Sequence, residues 1–424
     1  MTSNQTPCPY YDSRQHGLTI QQFARKLARE GRTGLEAEYR RICGIKPDSK
    51  WDEFLKHPTK NRYGDVYCLD TNRVVLLSKN PSKSPGYIHA NFVHGYKCKH
   101  AYICTQAPLP ETYVDFWRMI WQERSVLIVS LTKLVEGGRE KCGQYWPDRE
   151  SKVVKYGCIR VTTLSITQSD NGSFVTTRLK LDNSLNNQSR RCTHLLYFNW
   201  PDFGTPQSSI NFMQLRQTIN ETQRIATERD AKAFWSLPRA PPIVVHCSAG
   251  VGRTGTLVAL DICVRQFLDT GLVDVPGVVR RIRQQRHLSV QKPDQYTFVN
   301  LGVLEYAIAN RYLSLFEVDL SGFVDPISVQ PEQLLPQEAP INGGNLKIAT
   351  KSASEPSFPQ AGTVTAADLA QRSRSLDTEP KGLVAPGTGT SPGAVGAGQS
   401  VEYPSKPSLS NIKRTVIVRT DSDL

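Results

Sequence analysis

Nothing in these 424 residues reads as a membrane span. The one long uncharged stretch, Gly382 to Val401, is built of Gly, Ala, Thr and Pro, not of Leu, Ile and Phe, so it lacks the apolar surface that a bilayer rewards. The first residues, Met1-Thr2-Ser3-Asn4-Gln5, offer neither a basic cluster nor an apolar run, and no secretory signal is visible. The ten cysteines contain no Cys-x-x-Cys pair, which argues against a zinc ribbon or a dithiol redox motif. Without a signal they read as reduced thiols, so a cytoplasmic protein is expected, with access to the nucleus left open. No internal repeat is apparent. A formal charge of +13 suits an acidic or phosphate-bearing partner. No known nucleic-acid module or interleaved basic-aromatic patch accompanies it, so nucleic acid is not expected as the partner.

Scarcity also divides the chain. From Ser321 onward there is no Cys or Trp, and Phe323, Phe358 and Tyr403 are the only aromatics, yet 11 of the 27 prolines lie there. That segment carries 9 basic and 10 acidic residues, which leaves 43 against 29 in the first 320. The expected organisation is a flexible N-terminus over residues 1–17, a basic folded domain over 18–315, and a disordered Pro/Gly/Ser-rich tail over 316–424.

Within the body, Ile20, Phe23 and Leu27 have helical spacing from Thr19 until Gly31 stops it, and Leu35, Tyr39 and Ile42 repeat the spacing. Short β-branched or aromatic runs then predict strands at 74–77, 87–93, 102–105 and 126–132, with a helix over 112–123. Asn171-Gly172 between 159–169 and 173–181 is a hairpin signal, because both residues tolerate positive φ. A strand over 193–198, a helix over 208–227, a short buried strand at 243–245 and helices over 254–268, 276–286 and 295–312 complete the pattern. Strands and helices mixed in this way predict an α+β domain whose sheet is mixed and built partly from hairpins.

The chemistry is concentrated where Ile243-Val244-Val245 runs into His246-Cys247-Ser248-Ala249-Gly250-Val251-Gly252-Arg253-Thr254. A buried strand, a loop of small residues and a helix form a phosphate cradle: the glycines let successive N–H groups point inward, and the helix N-terminus adds positive potential. It is not a nucleotide-binding Walker loop, because no Gly-Lys-Ser/Thr follows. A thiol set in such a ring beside a guanidinium should be strongly acidified. It would attack phosphorus while Arg253 grips two oxygens. An isolated Cys is more often a small core residue, but a core Cys needs neither flanking glycines nor an Arg six positions later.

These residues match the Cys-x5-Arg signature of the protein tyrosine phosphatases, and further segments match in order from about Asn61 to Tyr306, so the chain resembles the tyrosine-specific, non-receptor branch. The resemblance implies a highly twisted mixed sheet flanked by helices and hydrolysis of phosphotyrosine through a phosphocysteine, with no metal and no cofactor. Cys247 would be the nucleophile, Arg253 and the N–H groups of Ser248, Ala249, Gly250, Val251 and Gly252 would hold the phosphate, and Thr254 would donate its hydroxyl to the departing Cys247. Asp202, in Trp200-Pro201-Asp202-Phe203-Gly204, corresponds to the general acid and later base. Tyr63 and Asp65, in Lys60-Asn61-Arg62-Tyr63-Gly64-Asp65-Val66, correspond to the residues that stack on the phosphotyrosine ring and accept from the substrate backbone. Gln291 and Gln295 would place water. Glu136 would hold Arg253 flat, Lys141 would approach the acid loop of Trp200 and Asp202, and Tyr145 would hydrogen-bond His246.

The sequence departs from the family pattern at Tyr87-Ile88-His89-Ala90-Asn91, where Tyr-Ile-Asn-Ala-Ser is usual, at Ala107, and at Lys292, where Thr is usual. The His-Ala-Asn form resembles members expanded in nematodes. Lys292 adds charge beside the pocket and would tune acidic-substrate preference. Phosphotyrosyl proteins are the implied partners. The rival class is a phosphotyrosine-binding pseudophosphatase or scaffold, which the presence of Cys247, Arg253 and Asp202 together disfavours. In the tail, Arg372-Ser373-Arg374-Ser375 fits either a kinase site or a solvated linker. Ser422-Asp423-Leu424 resembles a ligand for a PDZ domain, with 413–419 available for strand addition.

Overall fold

In a computed structural model of the chain, the residues described are 16–77, 86–201, 204–206, 208–230 and 240–323. The tail, with its serine pair and C-terminal tripeptide, lies outside them, as do Asp202 and Phe203.

The N-terminal helical pattern becomes α1 (Ile20–Cys43), and Thr19 caps it: its hydroxyl accepts from Gln22 N while Gln22 Oε1 accepts from Thr19 N. Gly31, at φ 56° and ψ −164°, breaks the helix into two arms. Both arms bury the apolar stripe that the spacing defines, from Ile20, Phe23 and Leu27 to Leu35, Tyr39 and Ile42.

The sheet is assembled from β2 (Arg73–Leu76), β3 (Gly86–Gly95), β4 (Cys98–Thr105), β5 (Leu127–Ser130), β8 (Val153–Tyr156), β9 (Ile159–Gln168), β10 (Phe174–Asn183), β11 (Gln188–Tyr197) and β12 (Ile243–His246). Two short pairs stand apart from it, β1 (Leu18–Thr19) with β13 (Leu272–Val273) and β6 (Val135–Glu136) with β7 (Arg139–Glu140). The nine strands run in the order β2-β3-β4-β12-β5-β11-β10-β9-β8. The inner four, β4, β12, β5 and β11, are mutually parallel, whereas the outer strands join by antiparallel pairing.

Helices cover both faces: α2 (Asp52–Lys56), α3 (Tyr113–Gln122), α4 (Ile210–Arg229), α5 (Gly252–Thr270), α6 (Val275–Gln285) and α7 (Pro293–Ala309) follow α1 among the described residues. Alternate residues of the central strands feed different cores, as the two-residue period of a strand requires. Leu127, Val129 and Val245 pack with α1 and α4 to α7, and Ile128, Ile103 and Val244 pack with α3. A parallel, doubly covered centre with antiparallel wings is a mixed α+β sheet, as the pattern of runs indicated.

Several details differ from the sequence expectation, and three bear on the packing. Only Gly172 takes positive φ in the β9–β10 turn, because the connection is five residues long and Ser169 N pairs with Phe174 O. Strand β8 was not foreseen; it is a half-exposed edge with the weak pattern of such a strand. Packing also continues beyond Leu315: Val318, Leu320 and Phe323 cover the main core, and a Cβ on Gly31 would lie 3.1 Å from the Gly322 carbonyl oxygen.

Candidate active site

The four parallel strands end on one side, and each hands its chain to a loop of the candidate site. In an open α/β sheet the crevice beyond the carboxyl ends of the strands is the natural place for a ligand. From β12 comes the cradle, from β4 the Gln106 turn, from β5 the segment leading to Glu136, and from β11 the segment leading to Trp200.

Cys247 lies at the floor, 6% exposed. The carbonyls around it are all tied away from the cavity. His246 O accepts from Leu131 N at 2.8 Å, Ser248 O from Ala107 N at 2.9 Å, and Val251 O from both Gly255 N and Val290 N at 3.0 Å. Cys247 O accepts from His246 Nδ1 at 3.0 Å, and Arg286 holds Ala249 O and Gly250 O at 3.0 and 3.1 Å. Because peptide N–H and C=O point in opposite directions, fixing the carbonyls outward turns the N–H groups inward. The N–H groups of Ser248, Ala249, Gly250 and Val251 have no acceptor among the described residues, and Gly252 and Arg253 open α5 with the free N–H groups of a helix start. Gly250 is essential to this path: its φ is +71°, and a Cβ there would overlap the Thr105 carbonyl.

Arg253 is braced for planar, bidentate recognition. Its Nη1 and Nη2 donate to Glu136 Oε1 and Oε2 at 2.6 and 2.8 Å, and Nη1 also reaches Leu131 O at 3.1 Å. Glu136 is presented by the two-residue hairpin Gly137-Gly138, both at positive φ, a turn chemistry readable in the sequence but not noticed there. Burial alone would raise the Glu136 carboxyl, yet Arg253, the Lys133 N–H and the Thr132 hydroxyl together hold it below its ordinary value. It therefore stays a carboxylate, leaving the guanidinium edge that faces the cavity available.

Behind the floor runs a neutral relay. His246 Nδ1 donates to Cys247 O, so its Nε2 accepts from the Tyr145 hydroxyl at 2.6 Å, and His194 Nε2 donates to the same hydroxyl at 2.9 Å. Burial pushes His246 down to about 4 and His194 to about 3, so neither ring carries charge near neutrality.

The remaining candidates line a cavity of about 360 Å³ that contains Cys247 and Arg253. Tyr63 forms one wall, its hydroxyl 2.8 Å from Ser248 Oγ. Asp65, Lys141, Trp200, Gln291, Lys292 and Gln295 also line it. Gln295 Oε1 accepts from Gln291 N at 2.9 Å, and a Cβ on Gly252 would lie 2.9 Å from Gln295 Nε2, so both glutamines stand over the cradle. Trp200 Nε1 donates to Gly204 O at 3.1 Å, and Pro201 O is 3.4 Å from Arg253 Nη2. These contacts fix the two ends of the segment that holds Asp202, a residue outside the described set. The Thr254 hydroxyl is buried beside the cradle's end and has no hydrogen-bond partner among the described residues.

Several supporting residues were not singled out by sequence. Gln106 Oε1 accepts from Arg62 N at 2.9 Å while Arg62 Nε donates to Ala107 O at 3.1 Å, which ties the Tyr63 segment to the end of β4. Their partners are distant in the chain, so no local pattern announces them.

The family profile described as protein-tyrosine phosphatase matches residues 57–305. The chain belongs to that family. It is 39% identical over 295 residues to tyrosine-protein phosphatase non-receptor type 9 of Homo sapiens, covering 69% of this chain and 49% of that protein. It is 39% identical over 246 residues to receptor-type tyrosine-protein phosphatase S of Gallus gallus, covering 58% and 15%. With tyrosine-protein phosphatase 99A of Drosophila melanogaster it shares 36% over 328 residues, covering 73% and 24%. The chain thus spans about half the length, or less, of the curated relatives it matches. None of the helices among the described residues is long and apolar enough to cross a membrane.

Proposed function

We propose that the chain hydrolyses phosphotyrosine in proteins through a phosphocysteine intermediate, acting in the cytoplasm. Cys247 Sγ attacks phosphorus and the bond to the tyrosyl oxygen breaks. Asp202 gives that oxygen its proton, so tyrosine leaves neutral. A water held by Gln291 and Gln295 then attacks the phosphocysteine, Asp202 takes back a proton, and inorganic phosphate and the thiolate are regenerated. Arg253 and the inward N–H groups grip the equatorial oxygens in both steps, where charge must be stabilised without reorganisation.

The observation that carries this reading is the floor itself, a cysteine surrounded by carbonyls tied outward and flanked by an arginine locked to Glu136. A core cysteine has no use for that arrangement. The half-buried wall formed by Tyr63 supports phosphotyrosine as substrate, since a short phosphoserine would not span from such a rim to the thiol. Turnover of a phosphotyrosyl peptide by the full chain is the test. Cys247→Ser should lower kcat by about 10⁵-fold or more, as loss of a nucleophile does elsewhere, while still binding the peptide. Turnover that persists in that variant overturns the reading.

A further inference from the structure

Arg286 follows α6 directly and is 0% exposed. Buried charges are normally paired, because leaving water is costly for an ion without a partner. Arg216 obeys this, 2.8 Å from the Asp261 carboxylate, as does the half-buried Arg253 with Glu136. The buried Arg283, like Arg286, has no carboxylate partner among the described residues and donates to the Ser289 and Val290 carbonyls. Arg286 forms an ion pair with none of the described carboxylates. All four of its hydrogen bonds end on neutral acceptors, namely Gly250 O at 3.1 Å, Ala249 O at 3.0 Å, Asn91 Oδ1 at 2.9 Å and His89 Nδ1 at 3.1 Å.

The surroundings keep it that way. His89 Nε2 donates to Val66 O at 2.7 Å, which leaves Nδ1 bare as an acceptor. Burial and the adjacent guanidinium push the ring down to about 3. The nearby Cys68 and Tyr87 are raised by burial, and Cys104 is raised to about 12. At neutral pH every one of these groups is uncharged. The positive charge is therefore held in a low-dielectric interior directly behind the cradle. Two of its four bonds seize the carbonyls whose partner N–H groups, on Gly250 and Val251, face the phosphate position. His89 and Asn91 stand where the family usually has Asn and Ser, so different residues here still present neutral acceptors.

We infer that Arg286, accepted by His89 and Asn91, is a buried cation without a carboxylate partner that aims the Gly250 and Val251 N–H groups and strengthens the site's hold on a doubly charged phosphoryl group. It acts through the cradle, without touching substrate, and is a positioning residue. The inference rests on the phosphatase reading above.

Two variants of one residue separate charge from structure. Asn91 also donates to Leu69 O and Asn72 Oδ1, and both Asn91→Ser and Asn91→Asp lose those donations. Only Asn91→Asp sets a carboxylate against Arg286. Tungstate binding to the full chain, measured by calorimetry, should weaken no more than about threefold in Asn91→Ser and about tenfold further in Asn91→Asp, the size of a single charge acting over roughly 10 Å of protein. The urea midpoint of Asn91→Asp should be no lower than that of Asn91→Ser, because the new carboxylate gains a partner. Equal tungstate affinity in the two variants overturns the inference. Should Asn91→Asp not fold, His89→Asp against His89→Asn poses the same contrast from the other side of the guanidinium, with the same order expected and equal affinities again overturning it. Failure of the unmodified chain to turn over a phosphotyrosyl peptide, with tungstate binding intact, counts instead against the phosphatase reading alone.

Discussion

The floor and the rim of this one cavity are built on opposite principles. At the floor, every carbonyl from His246 to Val251 has a donor, Arg253 is held through both nitrogens, and the relay behind it is buried. At the rim, Tyr63 makes one side-chain hydrogen bond, while the side chains of Asp65, Lys141 and Lys292 make none to a described residue. On the mechanism proposed above, an over-determined floor would fix which atom attacks and where charge is received. A sparsely tethered rim costs little to change, and so is where selection among substrates is expected to reside. Substitutions should therefore hurt most at the floor and do so regardless of substrate, whereas rim substitutions should act on preference.

The sharpest way to break this contrast is Arg253→Lys. A lysine keeps the charge but cannot pair both Glu136 oxygens and still offer a fork to phosphate. A loss of about 10³-fold in kcat/KM is expected for every phosphoryl substrate, measured on a phosphotyrosyl peptide and on a plain aryl phosphate. A loss confined to the peptide would place Arg253 with the rim. Next in size is Gly250→Ala. The +71° φ and the overlap with the Thr105 carbonyl should cost about 3 kcal/mol of stability, read from urea unfolding. Tungstate binding should fall with it, since the carbonyls cannot stay outward.

What could be read from sequence follows the same divide. The floor was legible because its residues are contiguous: strand, small-residue loop and helix start occupy a single run from Ile243 to Thr254. The helices of α1 and the β9–β10 hairpin were legible for the same reason, each carrying its period and its stop. What escaped depends on residues brought together from afar. Arg286 meets His89 and Asn91 across nearly two hundred residues, Arg62 meets Gln106 across a turn of the sheet, and Phe323 packs back on the core entered by α1. Strand β8 and the polar first half of β11 escaped because an exposed edge needs little hydrophobic pattern. Glu136, Gln291 and Gln295 came only through family likeness, since a lone acid or glutamine carries no local signature.

The buried relay makes the floor acid-sensitive. His89 and His194 sit at about 3 and His246 at about 4 in the folded chain, against an ordinary value of 6.5. The unfolded chain therefore binds protons that the folded chain refuses, and stability falls as pH drops below about 6.5 until the folded values are reached. Each ring contributes about 1.4 kcal/mol per pH unit over that window. The urea midpoint should drop by an amount equivalent to a few kcal/mol between about pH 7 and about pH 5, and His246→Gln should reduce the drop. A midpoint flat across that range would mean that the rings are open to solvent and the floor is looser than its hydrogen bonds indicate.

The smallest effect belongs to the rim. Lys292 is exposed, lines the cavity beside Gln291, and stands where the family usually carries Thr. A single exposed charge is worth only about 0–1 kcal/mol and is screened by salt, so Lys292→Thr should leave kcat alone and change KM by about threefold. The change should appear only for phosphotyrosyl peptides with acidic flanks, and should vanish at an ionic strength of about 0.5 M. The deciding measurement is the ratio of kcat/KM for acidic and neutral peptides in the parent and the variant at low salt. A ratio unchanged by Lys292→Thr would shift selection away from the rim, onto the diffuse positive field of a body with 43 basic and 29 acidic residues. A ratio that changes together with kcat would mean that Lys292 reaches the chemistry itself, and the division between floor and rim would then run through Gln291 and not outside it.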